Sequence, residues 1–215
     1  MTIRHHPSDV LLAGFAAGTL DLGQHVAVAT HLTACARCRS FVHAVEEAGG
    51  VLLERLPPGE MASDAQSRVE ARLAVAAAVD GAASTRGEAR DVLGLPRFVR
   101  KYRFERWKWI APKVHMRPIK LPEASETRVF LLKSGPGTKM LPHSHSGVEM
   151  TCVLAGAFRH DGGHFGPGDF DLGDESIEHE PVVEPGGDCI CLVAMQGRLQ
   201  LNGFFGRLIQ PFVRL

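Results

Sequence analysis

Residues 137–156 read GTKMLPHSHSGVEMTCVLAG, and this stretch decides the fold of the C-terminal half. Its key residues follow the spacing G-x5-H-x-H-x3-E-x6-G, set by Gly137, His143, His145, Glu149 and Gly156. Side chains alternate along a strand, so His143 and His145 project from one face and can grip one ion together. Ser146-Gly147-Val148 reads as a turn, and a strand returning from it brings Glu149 alongside. Gly168-Asp169 marks a later turn, after which His179 stands as a fourth candidate ligand. Three imidazoles and a carboxylate suit zinc, iron, manganese or nickel, so the donor set alone does not name the metal. The bland alternative, that His143 and His145 are exposed turn histidines, leaves four potential ligands in register unexplained.

The surrounding segments agree with a β-rich domain. WKWIAPKVHM (107–116), TRVFLLKSGPGTKM (127–140), VEMTCVLAGAF (148–158), GPGDFDL (166–172) and DCICLVAM (188–195) are apolar runs separated by Gly and Pro. Such short strands at close intervals suggest an antiparallel barrel or sandwich. In the last of them Cys189 and Cys191 should share one face, with Ile190 and Leu192 on the other. Two thiols two residues apart on a strand are poorly placed for a disulfide, so oxidation to sulfenic acid is the better expectation, against the alternative of two small buried core residues. His115, His160 and His164 fall outside the ligand pattern and are expected at the surface.

Residues 8–80 have a different period. They are rich in Ala and Leu, with helical spacing at Leu11, Leu12 and Phe15 and again at Val69, Leu73 and Ala76. Ser8-Asp9 and Ser63-Asp64 carry N-cap chemistry, and breaks are expected at Gly18, Gly49-Gly50 and Pro57-Pro58-Gly59, which makes about four helices. The stretch GAASTRGEARDVLGLP (81–96) loses apolar periodicity, as linkers do. The expected organisation is therefore multidomain α plus β: helical residues 1–80, a linker over 81–96, and a β domain over 97–215.

The sharpest feature of the helical half is His31-Leu-Thr-Ala-Cys35-Ala-Arg-Cys38, an H-x3-C-x2-C pattern. Thiolate and imidazole are preferred zinc ligands, a C-x2-C pair can chelate one ion, and a histidine one turn earlier reaches the same point. The fourth ligand must come from elsewhere, and His5 and His6 before the first helix are candidates, with His6 favoured, because a metal that ties its ends together stabilises a small domain. Read alone, Cys35 and Cys38 could be small buried apolar residues, but the added histidine and the shortage of large core residues favour a metal. No βαβ pattern surrounds Cys35-Ala-Arg-Cys38, which argues against a thioredoxin-like redox pair. His25 and His43 lack ligand spacing.

Bulk properties narrow the class further. Lys+Arg and Asp+Glu are both 24, so no net field exists to hold a polyanion, and a protein partner or small ligand fits better than DNA. The apolar stretch of the opening MTIRHHPSDVLLAGFAAGTL is short and broken by Gly14 and Gly18, unlike a signal peptide, and no run approaches the roughly 18–20 apolar residues of a membrane span. A cytoplasmic location is expected, in which five cysteines without framework spacing serve as ligands or sensors.

The stretch from Gly137 to Gly156 resembles the first motif of the cupin superfamily at every defining position. The second motif departs from the pattern: Gly168 and His179 stand at the expected separation, but Asp174, Ser176 and Val183 occupy positions where cupins often have Pro, Gly and Asn. A helical H-x3-C-x2-C module followed by a cupin is similar to the ChrR-type anti-sigma factors along the whole chain. The resemblance includes the opening MTIRHH, the ATHL-x2-C-x2-C stretch, the HxH-x3-E motif, the DCICL strand and the QPF at 210–212. It implies a four-helix zinc anti-sigma domain with His6, His31, Cys35 and Cys38 as zinc ligands, and a cupin jelly roll with zinc at His143, His145, Glu149 and His179. It also implies sequestration of an extracytoplasmic-function sigma factor in a 1:1 complex and its release under oxidative stress such as singlet oxygen.

Two other readings compete. An iron-dependent cupin dioxygenase with an accessory helical domain is chemically possible, since open coordination positions support such chemistry, but no residue is assignable as its base. A metalloregulator that binds DNA through its helical half is disfavoured by the charge balance.

Overall fold

The computed structural model describes residues 2–80, 92, 94–122, 125–176 and 178–201. Most of the expected linker, and the QPF at 210–212, lie outside the described residues.

The helical half contains α1 (Asp9–Ala16), α2 (Leu22–Ala34), α3 (Ala36–Glu54) and α4 (Ala65–Asp80). Ser8 caps α1 through its Oγ, which accepts the Leu11 N–H at 3.3 Å. A capping box starts α2: Asp21 Oδ1 accepts the Gly23 N–H at 2.9 Å while Gln24 Oε1 accepts the Asp21 N–H at 3.4 Å. Cys35 closes α2 and opens α3 in one residue. The break expected at Gly49-Gly50 does not occur, because α3 runs through both glycines to Glu54. A helical glycine costs about 1 kcal/mol but keeps its backbone hydrogen bond, whereas proline removes one, so the chain leaves the helix just before Pro57-Pro58.

The β half begins after a short 3-10 turn at Arg97–Lys101. Its strands are β1 (Arg103–Phe104), β2 (Lys108–Ala111), β3 (Val114–Lys120), β4 (Arg128–Ser134), β5 (His143–His145), β6 (Glu149–Ala155), β7 (Phe158–His160), β8 (Gly163–Phe165), β9 (Phe170–Gly173), β10 (Val182–Val183), β11 (Cys189–Met195) and β12 (Leu199–Leu201). All pairings are antiparallel: one sheet runs β1-β3-β4-β11-β6-β9 with β2 beside β3, a second β10-β7-β8, and a third β12-β5. This is the cupin-like barrel that the strand pattern suggests.

The central strands bury both faces, which is why DCICLVAM reads as an unbroken apolar run rather than an alternation. On β11, Cys189, Cys191, Val193 and Met195 face the barrel interior with Phe130, Val153 and Phe158. Leu192 and Ala194 face the opposite way and join Leu131, Met150 and Cys152 in a core that also contains Leu12, Val26, Ala27 and Val28 of the helical half. Val92 and Leu95, at the end of the expected linker, are 4 % exposed and belong to that same core.

The join between α2 and the barrel depends on small residues. A Cβ added at Gly23 would stand 2.6 Å from Thr127 Cβ and 2.8 Å from the Thr127 carbonyl, so the helix start approaches β4 through a glycine. Asp21 completes the join by accepting the Ser125 hydroxyl at 3.0 Å and the Glu126 N–H at 3.1 Å. The far end of α3 and α4 are different: Leu52, Leu56, Val69 and Leu73 lie in solvent, the last two at 56 % and 64 % exposure. Gly23→Ala is expected to destabilise the protein by about 1–3 kcal/mol through forced separation at this join. Gly49→Ala, which meets nothing within 4 Å, should stabilise it by up to about 1 kcal/mol. Thermal unfolding followed by circular dichroism reads both.

Candidate metal centres

The first cluster is assembled from three backbone elements. His31 sits in the last turn of α2, Cys35 at the joint between helices and Cys38 in the first turn of α3, where the helix dipole favours a thiolate. His6 arrives from the segment before α1, with Nδ1 3.4 Å from both Cys35 Sγ and Cys38 Sγ. His31 Nε2 lies 3.3 Å from Cys38 Sγ, and one ligand atom from each of the four residues falls within 4.8 Å of the others. A tetrahedral ion with bonds of roughly 2.0–2.3 Å spaces its ligands about 3.5 Å apart, so the group fits such an ion. His5, the other candidate, instead stacks on Phe165 with ring centroids 4.1 Å apart.

The barrel holds this cluster in place. His31 Nδ1 is 2.7 Å from the Gly168 carbonyl, which can only accept, so Nδ1 carries the hydrogen and Nε2 turns its lone pair towards Cys38. Burial, partly offset by this hydrogen bond, lowers the His31 pKa to about 4 and keeps the ring neutral. The neighbouring Asp169 accepts the N–H groups of Arg4 and His5 at 2.7 and 2.9 Å and that of Gly166 at 2.8 Å. The Phe170 N–H donates to the His5 carbonyl at 3.1 Å. The segment carrying His6 is thus tied to the turn before β9. Burial, with the Cys35 hydrogen bond, pushes the Cys38 thiol up to about 12, so only a nearby cation would draw out its thiolate.

The second cluster lies inside the barrel. His143 and His145 flank Ser144 on β5, and His179 is bridged to His143 by reciprocal backbone hydrogen bonds of 3.2 and 3.0 Å. His179 Nε2 stands 2.9 Å from His143 Nε2 and 3.2 Å from His145 Nε2. His143 Nδ1–H donates to the Leu141 carbonyl at 2.7 Å, which leaves its Nε2 free as a ligand atom. Burial lowers the pKa of all three rings, that of His179 to about 4. His179 Nε2 can carry at most one hydrogen, so it cannot donate to both neighbours at once, whereas a cation at this point would be met by all three rings. Glu149 stands beside this group rather than within it: its Oε2 is 3.7 Å from His145 Nδ1, and burial raises its pKa to about 7. Cys189 and Cys191 face the same interior with Sγ atoms 3.7 Å apart.

Sequence spacing missed several residues at these sites. His160, expected at the surface, has a side chain only 7 % exposed, and its Nε2 lies 3.0 Å from Asp171 Oδ2. Gly168, Asp169 and Asp171 act through a carbonyl and two carboxylates on a turn and a strand, and no spacing in the sequence announces such contacts.

A helical His/Cys unit seated on a cupin-like barrel with a histidine cluster defines a two-part architecture in which each part could hold a metal ion. The family described as ChrR Cupin-like domain matches residues 96–198. The anti-sigma-E factor ChrR of Cereibacter sphaeroides is 39% identical over 216 residues, which cover 100% of each chain. A chain of the crystal structure of Rhodobacter sphaeroides SigE in complex with the anti-sigma ChrR superposes with a TM-score of 0.70 at 33% identity, over 91% of this chain and 100% of that one. The chain belongs to the ChrR family of anti-sigma factors. The family places it among regulators rather than enzymes, so the dioxygenase reading falls away. Among the described residues no helix is long and apolar enough to cross a membrane.

Asp169→Ala should free the N-terminal segment while leaving the barrel folded. The expected outcome is faster amide hydrogen exchange at residues 4–6 and a weaker hold on metal at the first cluster, read by exchange mass spectrometry and chelator competition.

Proposed function

We propose that this protein binds an extracytoplasmic-function sigma factor in the cytoplasm, inhibits it by steric occlusion, and releases it under oxidative stress such as singlet oxygen. The observation that carries this reading is the apolar surface at the end of α3 and on α4, where Leu52 and, just beyond α3, Leu56 are exposed together with Val69 and Leu73, one helical turn apart on α4, in a chain of this family. Exposed apolar helix faces of this kind pack into grooves of a partner. Residues 1–80 are the inhibitory unit in this reading and residues 97–215 the sensing unit. Zinc is the proposed ion of His6, His31, Cys35 and Cys38, because two thiolates and two imidazoles in a closed set are its preferred donors. A second zinc ion is proposed for His143, His145 and His179, with Glu149 as the fourth ligand once a cation offsets the cost of its buried charge.

Metal binding and folding are coupled in a unit this small. Cys38→Ala is expected to lose one equivalent of zinc, by atomic absorption, together with sigma binding in a pull-down. Val69→Asp with Leu73→Asp should keep both zinc equivalents and still lose sigma. A double variant that binds sigma like the parent would refute the docking face.

Release requires that a change in the barrel reach the helices. Strand β9 connects the two centres: Asp169 and Phe170 hold the segment bearing His6, while Gly173 at its other end lies against His145 and His179, where an added Cβ would be 3.3 and 3.5 Å away. Glu149→Ala and His143→Ala should therefore leave sigma bound in unstressed cells and abolish induction by oxidant, as read by a sigma-dependent reporter. Induction equal to the parent's would put the sensor elsewhere.

A further inference from the structure

The three-imidazole cluster is closed to solvent: His143, His145 and His179 are 8 %, 0 % and 5 % exposed. An ion that occupies it needs a way in. Two cavities flank it, with part of their walls in common. A cleft of about 520 Å³ opens between the N-terminal segment, with Arg4, His5 and His6, and the barrel wall carrying His160, Asp171, Glu178 and His179. A smaller cavity of about 120 Å³ lies within the barrel, lined by His143 and Glu149 among apolar residues. Among the described residues only Asp171 and His179 line both.

At that doorway stands a second donor set. One ligand atom each of His160, Asp171 and His179 falls within 4.8 Å of the others, as in the inner cluster. The residues come from β7, β9 and the segment before β10, and β7 does not pair with β9, so tertiary folding alone brings them together. The His160 ring is held by stacking on Phe165, with centroids 4.8 Å apart. Its Nδ1 accepts the Gly162 N–H at 2.9 Å and its Nε2–H donates to the Asp171 carboxylate at 3.0 Å, so Nε2 ligates an ion when that hydrogen moves to Nδ1 at the expense of the Gly162 bond. Two imidazoles and a carboxylate suit a divalent ion and leave other coordination positions to water.

We propose that His160, Asp171 and His179 form a loading site, through which a divalent cation passes from the cleft to the inner histidines. Asp171 supplies the negative charge that draws the cation in, with Glu178 on the same wall. His179 belongs to both sets, so the ion exchanges water, His160 and Asp171 for His143 and His145 without ever losing all its protein ligands. The proposal rests on the reading that the inner histidines hold a metal. The alternative is that His160 and Asp171 form an ion pair that merely buckles β7 to β9.

The two differ in kinetics. A residue on the path lowers the barrier in both directions, so its removal slows uptake and release by the same factor and leaves affinity unchanged. A structural buckle, once removed, loosens the bound state and speeds release. Full-length protein stripped by chelator is mixed with Co2+, and the weak d–d bands of the nitrogen and oxygen set are followed apart from the thiolate charge-transfer band of the Cys35 and Cys38 cluster. For His160→Gln and Asp171→Asn, uptake into the barrel and release to a chelator should both slow about tenfold or more. The final amplitudes and the thiolate band should match the parent. Uptake at the parent's rate, or faster release, overturns the proposal. If Asp171→Asn fails to fold, shown by loss of the thiolate band, His160→Gln decides alone. Failure of the underlying reading looks different: His143→Ala would then bind as much cobalt in the barrel as the parent.

Discussion

The hydrogen bond from His31 to the Gly168 carbonyl, 2.7 Å long and wholly buried, is the contact on which the rest of the molecule depends. It fixes the tautomer of His31, a candidate ligand in the first cluster, and anchors α2 to the barrel in the same stroke. A buried imidazole N–H left without its acceptor would cost about 1–3 kcal/mol. The turn that supplies the carbonyl needs glycine: Gly168 has φ +89°, and a Cβ there would lie 2.8 Å from Ile3 Cδ1 and 3.2 Å from Ala34 Cβ. Asp169 next to it grips the backbone of Arg4 and His5, so one turn of the barrel positions His6 and His31, two candidate ligands of the helical cluster.

That arrangement makes the two halves one thermodynamic object. Val26, Ala27 and Val28 share one apolar core with Leu131, Met150 and Leu192, and the polar contacts beside it, from Asp21 to Ser125 and from His31 to Gly168, also cross the join. β9 carries the N-terminal segment at one end and lies against the barrel histidines at the other. A ligand or a chemical change that favours one arrangement of β9 therefore biases both clusters, and the coupling is reciprocal. Sigma binding at the helices should in turn affect the hold on an ion in the barrel.

The apolar helix surface follows a different physical logic. Leu52, Leu56, Val69 and Leu73 are exposed although each would contribute about 1.5–3 kcal/mol if fully buried. Within this chain the face is a cost, and association with a partner recovers it. The described side chains of α4, residues 65–75, are exposed apart from Ala65, so a partner that covers them would add packing to the helix's own hydrogen bonds.

The chain's own order of residues determined the ligand types and their local geometry. H-x3-C-x2-C places three donors on one helical joint through the 3.6-residue period, and H-x-H places two on one face of a strand through the two-residue period. The apolar run of DCICLVAM likewise announced a strand with its two thiols on one face, and the fold shows both faces buried. What local period cannot encode is which distant groups meet. His6 rather than His5 converges on the thiols because Asp169 and Phe170 hold the N-terminal segment in one register. His160 finds Asp171 because two strands of different sheets, not paired with each other, meet at the same wall of the cleft. Glycines at 49 and 50 stayed helical because nothing packs there to exploit a bend, while Gly23 and Gly168 became contact points. Those outcomes rest on carbonyls, backbone N–H groups and close approaches, which belong to every sequence alike and acquire a position only when the chain has folded.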